Sequence, residues 1–309
     1  MKFSEFPLDR FLSEREQAMP RLQAFYECKG PRVLVSQRPG YAFTRAICRY
    51  RDRQLESELD FLADCLRYKS DLMLNALEPW VGVGIYASAL GCKYIWSDYD
   101  APQTRPIICG SDEIASLKVK PLSEWEEMKE VLERIRYFKQ ATGNQLGITL
   151  TDTQSPNDTA SLIMDTTEFF SDSLDDPEAL EPLFTKITDL IIEYSRIQME
   201  EIGEKLFATP GHIAVSGFGP KGITLSGDNL AVLSPAAYEN TERPYLERIA
   251  AAFDGVHIHS CGKYTHNVPS VLATKGVRLL DCAIDKTVDP SPNAPEKMAE
   301  LLKGQEDVI

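Results

Sequence analysis

Short apolar runs separated by long amphipathic stretches organise this chain. Runs rich in β-branched and other apolar residues occupy 32–36 (RVLVS), 71–77 (DLMLNAL), 146–151 (LGITLT), 212–216 (HIAVS), 256–260 (VHIHS) and 277–283 (VRLLDCA). Their length and bounding turn residues predict strands. Between them the apolar positions recur every three or four residues. The stretch 123–143 opens at Ser123 with a Ser-x-x-Glu capping box and closes near Gly143, which predicts a helix. A second helix is expected from the Asp-Pro start at 176–177 to about residue 206. A third has Ser234 as N-cap and Pro235 as its first residue, broken or restarted at Pro244.

Strands alternating with helices of this length build parallel βαβ units, hence a (β/α) barrel or a doubly wound sheet. No Gly-x-Gly-x-x-Gly follows a strand and no Walker-type loop is present, so dinucleotide and P-loop sites lose their main support. The expected fold is therefore α/β, with a (β/α) barrel of the TIM type favoured. It is read as one domain over 31–309 with a helical lead-in over 1–30. Six strands are legible; against the eight that the family resemblance given below implies, the barrel is read as truncated in its last two strands, or completed by a partner chain, because an open parallel edge is a liability.

Composition narrows the function classes. The chain has 309 residues with a formal net charge of -14, which argues against a nucleic-acid or anionic-membrane surface. No apolar run approaches the roughly 20 residues that span a bilayer, and the charged N-terminus lacks a signal-peptide core. Seven scattered cysteines suggest reduced thiols in a cytoplasm rather than a disulfide framework.

Barrel chemistry sits at the C-terminal ends of strands, which directs attention to Arg38, Glu78, Asp152, Ser216, Cys261 and Asp285. Three of the four histidines, His257, His259 and His266, fall within ten residues. Residues two apart in a strand share a face, so His257, His259 and Cys261 point the same way if the strand runs that far. His-x-Cys joined by one distant cysteine makes a three-ligand zinc set with an open fourth position; the same residues can equally be a packed core strand. Cys282 is poised between ligation and packing, and His266 is read as a surface or helix-start residue. The other five cysteines are read as structural. Glu78, before Pro79-Trp80, is either a general acid or base at a strand mouth or a loop glutamate. Asp228, in the glycine-rich loop GFGPKGITLSGDN, is either a substrate-binding acid or a turn residue.

The stretches GDNLAVLSPAAYENTERPYLERIAAAFDGVHIHSCGK and KGVRLLDCAIDKTVDP resemble the uroporphyrinogen decarboxylase superfamily, which includes a haem-pathway decarboxylase and methylcobamide:thiol methyltransferases. DLMLNALEPW and QLGITLTDTQSPNDTASLIM resemble its earlier strands. The resemblance implies a (β/α)8 barrel with its site in the cleft at the strand ends. The decarboxylase branch carries two arginines after its first strand; here Ser36 to Tyr41 stand there, with Arg38 between the two positions and Tyr41 beside it as candidate substrate contacts, joined by Ser216. Glu78 stands in place of that branch's essential acid.

The methyltransferase branch is marked by His-x-Cys and a later cysteine on zinc. His259 and Cys261 match the first two, and Cys282 is the later cysteine. The resemblance thus implies a zinc-dependent methyltransferase moving a methyl group from a corrinoid to a thiol, with Glu78 and Asp228 lining the cleft. A metal-free carboxy-lyase acting through Glu78 and Arg38, or a non-catalytic binding barrel, are the alternatives. The partners it implies are a thiol or carboxylated small molecule, a corrinoid protein and a second copy of the chain.

Overall fold

The structure, a computed structural model, describes residues 1–27, 29–30, 33–34, 46–68, 76–96, 101–207 and 222–305. The expected strand at 212–216, all but residues 33–34 of that at 32–36 and residues 71–75 of that at 71–77, and with them Arg38, Tyr41 and Ser216, lie outside these residues.

The described strands are all parallel: β1 (Ile148–Thr149), β2 (Leu206–Phe207), β3 (Ile223–Ser226), β4 (Val256–Ser260) and β5 (Val277–Cys282). β1 pairs with β2, and β3, β4 and β5 form a three-stranded sheet in that order. Isolated parallel bridges extend both: Leu77 pairs with Ile148, and Gln154 with Ser226. Helices lie between β1 and β2, between β3 and β4 and, over Val268–Ala273, between β4 and β5, as parallel connections require. The result is a mixed α/β fold built on parallel strands, and the described strands do not close into a barrel.

The strands are short, and local chemistry explains only some of them. β4 and β5 fall where the apolar runs place them. The reading of 217–229 as a loop is corrected: within it Ile223–Ser226 is buried along its whole length and pairs with β4. Its flanking glycines and proline signal a turn locally, but the partner strand satisfies its backbone groups.

The helices show the same balance. Ser234 accepts the Ala237 N–H at 3.1 Å and Pro235 opens the Pro235–Thr241 helix. The chain then restarts as Arg243–Phe253 with Pro244 in its first turn, where a proline's missing N–H has no intrahelical partner to lose. The Glu181–Ile202 helix buries Leu183, Phe184, Ile187, Leu190, Ile191 and Tyr194 at three- and four-residue intervals and stops at Gly203, whose φ is 70°, a conformation that favours glycine.

Ser123, by contrast, caps nothing. It lies in a 3-10 turn, Leu122–Glu124, and the α-helix runs Glu126–Ala141. The reason is Trp125, fully buried between Tyr86 and Tyr194, whose indole N–H reaches Ser88 Oγ at 2.9 Å. Seating that ring fixes the entry of the chain and delays the helix.

The hydrophobic core is continuous, from Phe6 and Phe11 near the N-terminus to Met298 near the other end. Beside it sits a buried cation. Arg134 has no exposed surface and donates to Cys48 O (2.6 Å), Gln54 Oε1 (2.8 Å), Trp80 O (3.0 Å) and Glu130 Oε1 (2.8 Å).

Candidate functional site

The C-terminal ends of β3, β4 and β5 meet, and they carry the site. Register sets Ser226 against His259 and His259 against Asp281, so Ser226, His259 and Asp281 share one face of the sheet. The opposite face, with Val256, Ile258 and Leu280, packs on the core.

Asp228, His259 and Cys261 each offer one ligand atom, and these atoms all lie within 4.8 Å of one another. His259 is partly buried between Asp281 and Cys261. Its Nδ1 lies 2.7 Å from Asp281 Oδ2 and its Nε2 3.2 Å from Cys261 Sγ. Burial opposes a charge on the ring, but the contacts with Asp281 and Cys261 outweigh it and raise the imidazole to about 10. The Nδ1–H bond to a carboxylate fixes the ring and aims Nε2 at the thiol, the arrangement found behind metal-bound histidines.

Asp228 begins the 3-10 turn Asp228–Ala231. Its Oδ1 accepts the backbone N–H of Cys261 at 2.7 Å, so the third acid is tied to the main chain of the second ligand. Gly262 permits this approach: a Cβ there would stand 2.6 Å from Ala231 Cβ.

Behind the Asp228 turn lies a network with little solvent contact. Asp158 Oδ2 accepts the Asp228 N–H at 2.6 Å, and its Oδ1 accepts that of Asn229 at 2.9 Å. The Asn229 amide donates to Asn157 Oδ1 and to Ser161 Oγ, each at 3.0 Å. Glu242 Oε2 accepts the Asn157 N–H at 2.9 Å. Burial, then the charge of Asp228, holds the Asp158 carboxyl well above the usual range. Burial likewise lifts Glu242 to about 7 against hydrogen bonds from Ser155 and Asn157.

A raised carboxyl makes a definite prediction. Between its ordinary value of 4.5 and about 7, Glu242 binds a proton in the folded chain that it lacks when unfolded. Its contribution is therefore fully present below pH 4.5 and is lost as pH rises through 7. The loss is on the order of 3 kcal/mol. Glu242→Gln, a neutral isostere, should flatten this part of the profile and leave the protein at pH 8 at least as stable as the wild type. Urea unfolding at pH 5 and pH 8 checks it, and an unchanged slope would refute it.

The other candidates from the sequence take different places. Cys282 is absent from the ligand group; in register with Ser260 it turns to the opposite face and packs against the core, where burial and then Asp281 push its thiol up to about 11. The third place in the group belongs to Asp228. His257 is fully buried beside Thr224 Oγ1, one strand position below His259. His266 is exposed, and its ring lies 2.9 Å from Leu233 O. Glu78 is fully buried and outside the group; there it joins burial in pushing the Cys48 thiol to about 12. Asp285 is an exposed turn residue bonded to Thr287. Of the remaining cysteines, Cys48, Cys65 and Cys92 are buried and Cys109 is exposed.

Asp152 is buried beside Ser226. It accepts from Ser226 Oγ (3.0 Å) and from the Trp80 indole (3.3 Å). Sequence reasoning gave it no role, and it passed over Asp281, Asp158 and Asn229. Asp281 left a signal, a lone acid within the apolar run VRLLDC. The helix carrying Asp158, Pro156–Ile163, also left one: Ser155-Pro156 repeats the cap seen at Ser234-Pro235.

Parallel strands whose C-terminal ends gather a histidine, a thiol and carboxylates define an α/β protein with a candidate metal centre. Residues 76–208 match the uroporphyrinogen decarboxylase (URO-D) family. A methyltransferase from Methanosarcina mazei is similar in structure, with a TM-score of 0.62 at 16% identity over 94% of this chain and 81% of that one. No curated protein matches the sequence. The match to that family lies in residues 76–208, and the methyltransferase shares the fold of this chain. Asp228, His259, Cys261 and Asp281 lie beyond the matched segment. Among the described residues no helix is long and apolar enough to cross a membrane.

Proposed function

We propose that this chain is a methyltransferase that holds a zinc ion through Asp228, His259 and Cys261 and passes a methyl group from a corrinoid to a thiol. The observation that carries the reading is the convergence of these three ligand atoms within 4.8 Å. One nitrogen, one sulfur and one oxygen donor suit zinc, and three protein ligands leave a position for substrate. Asp228 and Cys261 are exposed, so that position faces the cleft. Zinc bound there would lower the pKa of an acceptor thiol and favour its thiolate.

The chain's own residues supply orientation. Asp281 keeps the Nδ1 of His259 occupied and its Nε2 directed at the site. Asp228 holds the backbone of Cys261. Asp152 and Ser226 line the inner wall, where polar groups of a substrate can be bound. A methylated corrinoid would supply the methyl group, and a zinc ion held by Asp228, His259 and Cys261 would hold the acceptor as its thiolate, the thiol proton going to solvent. The carboxy-lyase alternative draws on the family match alone: Glu78 is fully buried and Arg38 lies outside the described residues.

Metal analysis tests the reading. The purified protein, reconstituted with Zn²⁺ and desalted, should retain about one zinc per chain and should methylate a small thiol from methylcobalamin. Failure to retain stoichiometric metal would overturn it.

A further inference from the structure

The buried network behind the Asp228 turn has no part in the mechanism above, although it touches the ligand loop at both oxygens of one carboxylate. We propose that Asp158 is a positioning residue that sets the geometry of Asp228 and Cys261; its bearing on metal rests on the zinc reading.

The argument follows the hydrogen bonds outward. Asp158 is 6% exposed and belongs to the Pro156–Ile163 helix, whose start is held by the Ser155 cap and by the Asn157 N–H bonded to Glu242. It is thus fixed from behind. Its two oxygens take the consecutive N–H groups of Asp228 and Asn229 at 2.6 and 2.9 Å, a two-point grip that leaves the turn no freedom to rotate about either bond. Asn229 adds a third attachment through its amide to Asn157 and Ser161. The turn so held presents the Asp228 carboxylate, and its Oδ1 accepts the Cys261 N–H at 2.7 Å. One buried acid therefore fixes two of the three candidate ligands, each at one bond's remove or two.

No other residue can replace this grip. Asparagine keeps the volume but offers a single acceptor, and its NH2 group would face a backbone N–H. Losing one of the two acceptors should therefore loosen the turn without emptying a cavity.

The experiment uses Asp158→Asn, Asp228→Asn and the double variant, with Thr241→Val as control. Thr241 is buried in the same network and accepts from Asn157 but does not touch the turn. Amide hydrogen exchange on the metal-free proteins is the first readout. Asp158→Asn should speed exchange at Asp228, Asn229 and Cys261 by about tenfold or more, leave Val256 to Ile258 unchanged, and differ in this from Thr241→Val. Equal acceleration throughout β4, or none at the turn, would overturn the proposal whether or not the protein binds metal.

Zn²⁺ competition with a chromophoric chelator is the second readout. Asp158→Asn should weaken affinity about 10- to 100-fold, as loss of outer-shell partners does. In the Asp228→Asn background it should add little, because the two act through one contact. Additive losses would overturn the proposal. Wild-type protein that takes up no Zn²⁺ would instead overturn the zinc reading, and the exchange data would still decide the role of Asp158.

Discussion

Arg134→Ala should lower the unfolding free energy by about 3–5 kcal/mol, the cost of breaking a buried charge pair by removing one partner. The guanidinium is fully buried and gathers groups from four segments: Cys48 O, Gln54, Trp80 O and Glu130. Burial lowers its pKa while Glu130 opposes that shift, and an arginine in this setting stays charged. Alanine would take from the Cys48 carbonyl and from Gln54 Oε1 their buried guanidinium donor, while Trp80 O keeps the Gln54 amide at 2.9 Å. Arg134→Lys should rescue little of the loss, because a single ammonium cannot reach the planar fork of acceptors. Denaturant unfolding checks both variants. A loss below 1 kcal/mol for alanine would show that water or the neighbouring chain satisfies these groups. The variant should also disturb the cleft, since Trp80 links the arginine through its carbonyl to Asp152 through its indole.

His259→Ala should abolish zinc retention and with it methyl transfer, a fall in affinity larger than the roughly 100-fold upper range for outer-shell partners. It removes the nitrogen donor and leaves only the exposed Asp228 and Cys261. Asp281→Ala should fall within the range of about 10- to 100-fold, because it frees the ring to turn without deleting a ligand. Both sites are at the open ends of strands, so folding should be retained, as circular dichroism would show. Chelator competition on the two variants side by side gives the ranking. Equal affinity in His259→Ala and wild type would remove the histidine from the metal site.

Much of the frame was legible along the chain. β4 and β5 announce themselves as apolar runs, and the Ser234-Pro235 cap and Pro244 restart follow from the chemistry of those residues alone. β3 and the Pro156–Ile163 helix were not found. Four residues between glycines carry too little pattern to read as a strand, and a strand bridged and paired on both sides needs no local propensity of its own. Ser123 misled for a related reason: its capping box is valid locally, but burying Trp125 outweighs one cap.

The site divides in the same way. The sequence by itself determined that His259 and Cys261 stand two apart at the end of a strand, because alternation along a strand is a property of the backbone. It could offer Cys282 as the third ligand only by residue type. The tertiary structure decided otherwise through register: His259 pairs with Asp281 and Ser260 with Cys282, so the acid faces the histidine and the cysteine turns to the core. It also brought Asp228 to Cys261 across 33 positions of chain and set Asp158 beneath it. Such meetings depend on how strands are aligned against one another, and a one-residue shift would exchange the faces. That alignment is fixed by the packing of the whole fold, which no single stretch of sequence contains.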